Sequence, residues 1–182
     1  MPIRTTPTPT PVSLCRALAV IALIVTLGPS TARAATERTH GGSSCHGVQI
    51  APGDDLQGVI DRHRPRSTFC FASGHYHLSA TVWTGNEFPR LDLRAGAVID
   101  GENGGFVGID GANAPPDQPG TVIMGGVFQH FGNESAPSWV SPAIVGRNGV
   151  VVGTEFKDNF NAGLAIHGDA ARVSRIHTHH NG

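Results

Sequence analysis

After Pro65 the chain is a succession of very short β-prone runs that repeat at a loose period, and this pattern restricts the fold more than any other feature. The runs include Thr68 to Phe71, His75 to Leu78, Thr81 to Trp83, Arg90 to Leu93 and Ala97 to Ile99. Later come Phe106 to Ile109, Thr121 to Met124, Ala143 to Val145, Val150 to Val152, Leu164 to Ile166 and Arg172 to Ile176. Gly, Asn, Asp or Pro separates most of them, and no segment after residue 65 has the length or period of a globular helix. Val122-Ile123-Met124-Gly125-Gly126-Val127-Phe128 returns as Val150-Val151-Val152-Gly153-Thr154-Glu155-Phe156, at an offset of 28. Phe156 and Asn159 are echoed by Ile176 and Asn181 at offsets of 20 and 22. A period of 20 to 28 holding three short strands is what a parallel β-helix requires, one coil per period. Strands stack on those of the next coil about 4.8 Å away. Glycine and asparagine occupy corners where φ > 0 is needed. Variable offsets follow because loops can project from the corners. Residues 111 to 120 and 132 to 142 are such loops, and the second carries Trp139, an aromatic available to face a sugar. The competing sandwich or jelly roll calls for longer, cleanly alternating strands.

Ahead of the repeats, Pro52-Gly53-Asp54-Asp55 precedes Leu56, Val59, Ile60 and His63. The acidic pair supplies a helix cap, and spacings of three and four give one apolar face. The pattern predicts a helix of about 10 residues, ended by Pro65, that covers the apolar end and open strand edges of the first coil. At His75-Tyr76-His77-Leu78, strand alternation turns Tyr76 and Leu78 inward and both histidines outward.

Thr68-Phe69-Cys70-Phe71-Ala72-Ser73-Gly74-His75-Tyr76-His77-Leu78 resembles the first coil of right-handed parallel β-helix proteins of the pectin- and pectate-lyase-like superfamily. Ala95 to Gly101 is similar to their next coil. Phe156-Lys157-Asp158-Asn159 and His179-His180-Asn181-Gly182 are similar to the repeat coils that follow. The resemblance covers residues 48 to 182 and rests on core and corner positions. It implies an all-β, right-handed solenoid of about four to five coils with a short N-terminal capping helix. No capping element is seen at the end of the sequence, so the expectation is a chain that continues, or an open end covered by a second subunit.

Residues 1 to 34 read as a signal peptide. Arg4 and Arg16 flank a Pro/Thr-rich start, Ala17 to Leu27 is apolar apart from Thr26, and Ala32-Arg33-Ala34 has the small-x-small form of a cleavage site. An apolar core of about 11 residues is too short to span a bilayer, which takes roughly 20. Residues 35 to 47 read as a flexible segment. The expected location is extracellular or periplasmic, with no membrane contact after cleavage. Removing residues 1 to 34 takes away three arginines and no acids, leaving 14 acids against 10 bases, a charge of −4. That argues against nucleic acid as a partner. Cys45 and Cys70 remain and read as one disulfide in an exported chain.

Enzymes of the resembled superfamily work in a groove along one stacked sheet. They use carboxylates for calcium or proton transfer and a basic side chain beside a uronic acid. The matching residue types cluster late. Lys157, Asp158, Arg172, Arg175 and His177 are the catalytic candidates, and Trp139, His167 and His179 the substrate-binding ones. Lys157 or Asp158 is expected near His177 or Thr178, one coil on. Calcium is the cofactor this chemistry admits. His177, His179 and His180 also invite a metal reading, but on a strand His180 turns away from the other two, so no metal site is assigned. Asn159 and Asn161 read as corner or ladder residues, and Asp100, Glu102 and Asp110 as turn acids. The expected function is a secreted β-helix directed at extracellular polysaccharide, as a lyase or hydrolase of acidic glycans. The alternatives are a non-catalytic glycan- or partner-binding surface protein and an exported metal-handling β-helix.

Overall fold

A computed structural model describes residues 45–182. The expected signal peptide and most of the flexible segment lie outside the described residues. The described chain is an all-β parallel solenoid of about five turns. Its strands are β1 (Val48–Ile50), β2 (Thr68–Phe71), β3 (Gly74–His77), β4 (Val82–Trp83), β5 (Arg90–Asp92), β6 (Ala97–Gly104), β7 (Ile109–Gly111) and β8 (Val122–Met124). There follow β9 (Val127–Phe131), β10 (Ala143–Val145), β11 (Val150–Val152), β12 (Glu155–Lys157), β13 (Ala165–Ile166), β14 (Arg172–Ser174) and β15 (His177–His179). They form three sheets: β1-β2-β5-β8-β11-β14, β3-β6-β9-β12-β15 and β4-β7-β10-β13. Every pairing is parallel, and each of the four complete coils (β2–β4, β5–β7, β8–β10 and β11–β13) lays one strand on each sheet. The offset of 28 is register itself, since Val122 pairs Val150 and Phe128 pairs Phe156.

Period-2 alternation fills the interior. On the first sheet Phe69, Leu91, Ile123 and Val151 are in register and buried. On the second, Tyr76, Ile99, Phe128 and Phe156 form the matching column. His75 and His77 point outward, as alternation requires. The Tyr76 hydroxyl, buried among these side chains, lies 2.9 Å from the carbonyl oxygens of Ile50 and Ala72. Burial and the nearby Asp54 charge push its pKa up to about 12. Gly101 makes room for Phe131, because a Cβ there would meet the ring at 2.5 Å.

Helix α1 (Leu56–Asp61) is shorter than expected. Asp55 caps it by accepting from the Gly58 N–H. The turn tightens immediately after Asp61, where the His63 N–H reaches the Ile60 carbonyl, so the helix stops ahead of Pro65. Leu56 and Ile60 are buried in the end of the core. Gln57 does what a strand would do. Its amide donates to the Trp83 carbonyl and accepts from the Trp83 N–H, satisfying the free edge of β4.

Cys45 and Cys70 are disulfide-bonded, with Cα atoms 5.9 Å apart, tying the segment before β1 to β2. Replacing both cysteines by serine should lower stability by about 3 kcal/mol, because the bridge closes a loop of about 25 residues in the unfolded chain. Differential scanning calorimetry should show a midpoint lower by roughly 6–12 °C for a domain of this size. An unchanged midpoint would mean that β1 docks without the bridge.

Candidate functional site

The outward face of the second sheet gathers the titratable side chains. One column runs His77, Asp100, Gln129, Lys157, His179, and its neighbour runs His75, Val98, Val127, Glu155, His177. His130, near the end of β9, and Asp158 and His180, each one residue past its strand, occupy the same corner of successive coils. Their φ angles are 58°, 53° and 52°, all left-handed. That conformation bends the chain sharply and returns each side chain to the sheet face.

Carboxylate–imidazole pairs line this face. His77 Nδ1 lies 2.9 Å from Glu102 Oε1, and His130 Nδ1 3.0 Å from Asp100 Oδ2. His179 Nε2 lies 3.0 Å from Glu155 Oε1, and His180 Nδ1 3.4 Å from Asp158 Oδ1. Lys157 Nζ approaches Glu155 at 3.9 Å. Asp100 is the most enclosed of these acids, 8% exposed. Its oxygens accept from the Glu102 N–H and Gln129 Nε2, and Oδ2 also faces His130. Desolvation alone would raise its pKa, but the hydrogen bonds and the imidazole outweigh it and leave the carboxyl below its ordinary range.

Asp92, on the outward face of the first sheet, is also depressed. The bidentate Arg94 guanidinium, at 2.6 and 2.9 Å, outweighs the opposing desolvation. An unfolded chain therefore takes up protons at these two positions before the folded chain does. Their stabilisation is complete at neutral pH and is lost as pH falls through 3.8 toward the lower folded values. Urea titrations at pH 6 and pH 3 should show less acid loss in Asp100→Asn than in the parent (pH values roughly bracketing the carboxyl range). An identical loss would remove Asp100 from this account.

Beside the corner lies an open cavity of about 370 Å³, lined by Asn103, Asn133, Glu134, Asp158, Phe160 and His180 among others. Phe160 is 46% exposed, which is high for an aromatic side chain. Asn133 donates to the Asn103 carbonyl and so ties the loop after β9 to the end of β6 on the preceding coil. Asn159 lies beneath the rim as a buried ladder residue. Its Oδ1 accepts from the Phe131 N–H, and its Nδ2 donates to Asn181 Oδ1. Asn161 donates to Pro137 in the neighbouring loop.

The sequence-derived candidates divide among three faces. Lys157, Asp158, His177 and His179 share the second sheet and its corner. Lys157 pairs with His179, while His177 pairs with Glu155. Arg172 is exposed at the start of β14 on the first sheet. Arg175 stands at the corner between the first and second sheets. His167 is exposed just after β13, on the third. Trp139 is exposed on its loop and is not among the residues lining this cavity. His180 departs from the alternation argument. Its left-handed backbone brings the ring beside His179, with the Nδ1 atoms 3.2 Å apart. Among the described residues, no group of three or more His, Cys, Asp or Glu side chains is placed to hold a metal ion.

Glu155, Glu134, His130 and Phe160 were not singled out from sequence. The repeat offset was the available signal: stepping 28 residues from Val127, Gln129 and His130 gives Glu155, Lys157 and Asp158. The fold and this face define a parallel β-solenoid with a polar ladder on one sheet and an aromatic-bearing cavity at its corner. Comparison with protein-family models, characterised proteins and solved structures finds no match for the chain.

Proposed function

We propose that this protein is an exported β-helix of the pectate-lyase-like kind, directed at extracellular polysaccharide through the corner cavity beside the second sheet. The observation that carries the reading is the exposed Phe160 ring set among Asn103, Asn133, Glu134, Asp158 and His180. A sugar presents an apolar C–H face and a rim of hydroxyls. An exposed ring with amides and carboxyls around it matches both. The cavity opens onto the polar ladder, so a polymer can lie along successive coils. Asp158 with His180 is the pair at the cavity wall suited to proton transfer in a lyase or hydrolase reaction. The Cys45–Cys70 bridge is in keeping with an oxidising compartment.

The test is retention on a panel of immobilised acidic and neutral polysaccharides, with product release followed in parallel. Phe160→Ala should weaken retention about tenfold, the loss expected for one stacked ring. Asp158→Asn should leave retention in place and abolish any turnover. Retention without product in the parent would favour the non-catalytic binding form of the proposal. Retention of no polysaccharide, or equal retention of Phe160→Ala, would overturn it.

A further inference from the structure

A second cavity lies at the corner between the first and second sheets, away from the corner described above. It measures about 380 Å³ and is lined by Arg94, Met124, Gly125, Val152, Gly153 and Arg175. The floor is apolar: the Met124 thioether, the Val152 side chain and the bare backbone of two glycines. Gly125 and Gly153 hold φ of 68° and 66° at the equivalent corner of successive coils. A Cβ at Gly125 would meet Arg94 at 2.8 Å, so the glycine keeps that side of the cavity open.

The rim is cationic. Arg94 is locked by Asp92, which takes its Nε and one Nη and leaves the rest of the guanidinium outward. Arg175 makes no salt bridge among the described residues. Arg90 reaches the floor as well, with Nη2 2.8 Å from the Met124 sulfur. Two guanidiniums, Arg94 and Arg175, thus line the cavity and a third, Arg90, meets its Met124 sulfur, while Asp92 is paired with Arg94. Guanidinium forks pair with oxyanions bidentately, and the apolar floor gives nothing to a bare ion. We infer that this cavity is a binding site for an amphiphilic carboxylate, a small molecule with one anionic group on an apolar ring or short chain. The carboxylate sits between Arg94 and Arg175, and the apolar body covers Met124 and Val152. This site is independent of the polysaccharide reading and stands or falls separately.

The sequence supplies its own reporter. It has two methionines, Met1 and Met124, so the full chain labelled with [¹³C]methyl-methionine gives at most two signals. Met124→Leu identifies the one in the cavity. Titration with 1-naphthoate should move that signal upfield through the ring current, saturating at one equivalent. Neutral 1-naphthalenemethanol should not saturate over the same range, nor should inorganic sulfate displace the naphthoate. Arg175→Gln should raise the apparent Kd about tenfold, and Arg94→Gln should do at least as much. Arg175 is exposed at a corner, so its replacement leaves the core untouched. A Met124 signal that does not move overturns the site. So does equal binding of the neutral alcohol, displacement by sulfate alone, or an unchanged Kd in Arg175→Gln.

Discussion

Alanine in place of Phe128 should lower the unfolding free energy by about 3–5 kcal/mol. Phe128 is 0% exposed. It stands in register between Ile99 and Phe156, with its ring centroid 5.4 Å from that of Phe156. The void left by alanine cannot close by strand movement. The backbones on either side are held at the ladder spacing by hydrogen bonds along all three sheets. A solenoid also spreads strain poorly, since each coil contacts only its neighbours. Phe156→Ala should cost less, because its partner on the following coil is Thr178 rather than an apolar side chain. Denaturant titration of both variants measures the difference. A loss below about 1.5 kcal/mol for Phe128→Ala would mean that the aromatic column is loosely packed.

Asn159→Ala should cost about 2–4 kcal/mol although it removes only a small polar group. Asn159 is 2% exposed. Its side chain accepts from the buried Phe131 N–H at 3.0 Å and donates to the Phe128 carbonyl at 3.3 Å and to Asn181 Oδ1 at 2.8 Å. Alanine strands a buried donor and leaves the two acceptors without this donor. Asn159→Asp is the more discriminating change. It keeps the acceptor for Phe131 but places a carboxylate oxygen against the Phe128 carbonyl and Asn181 Oδ1. The aspartate variant should be the less stable of the two at neutral pH and should regain stability as pH falls and the carboxyl takes a proton. Equal stability of the aspartate variant and the parent at neutral pH would show that the asparagine ladder does not act as described.

The fold was legible because its cause is local and repeated. Short β-prone runs, punctuated by residues that accept left-handed backbone, leave few architectures open, and the offset of 28 between Val122 and Val150 is the strand register. Alternation placed Tyr76 inside and His75 and His77 outside. The capping helix was recognised by Asp55, Leu56 and Ile60, but its early end was not, because the turn at Arg62 and His63 carries no glycine or proline. The candidate site was legible only in part. Arg172, Arg175 and His177 are near neighbours in sequence, yet they sit on one sheet, a corner and the next sheet. Each coil passes through three faces, so closeness along the chain does not give closeness in space. The converse holds for Asp100 and His130, 30 residues apart and hydrogen-bonded. That pairing depends on a β6 longer than its apolar run and on a register shift between Asp100 and Gly104. Neither is written in the local pattern.

The most direct test of the polysaccharide reading is diethylpyrocarbonate labelling of the full chain, read residue by residue by mass spectrometry, with and without the best-retained polysaccharide of the panel. The corner cavity predicts that bound polymer protects His180, while His167 on the third sheet reacts at the same rate in both samples. Protection of His167 with His180 unprotected, or no change at either, would contradict it.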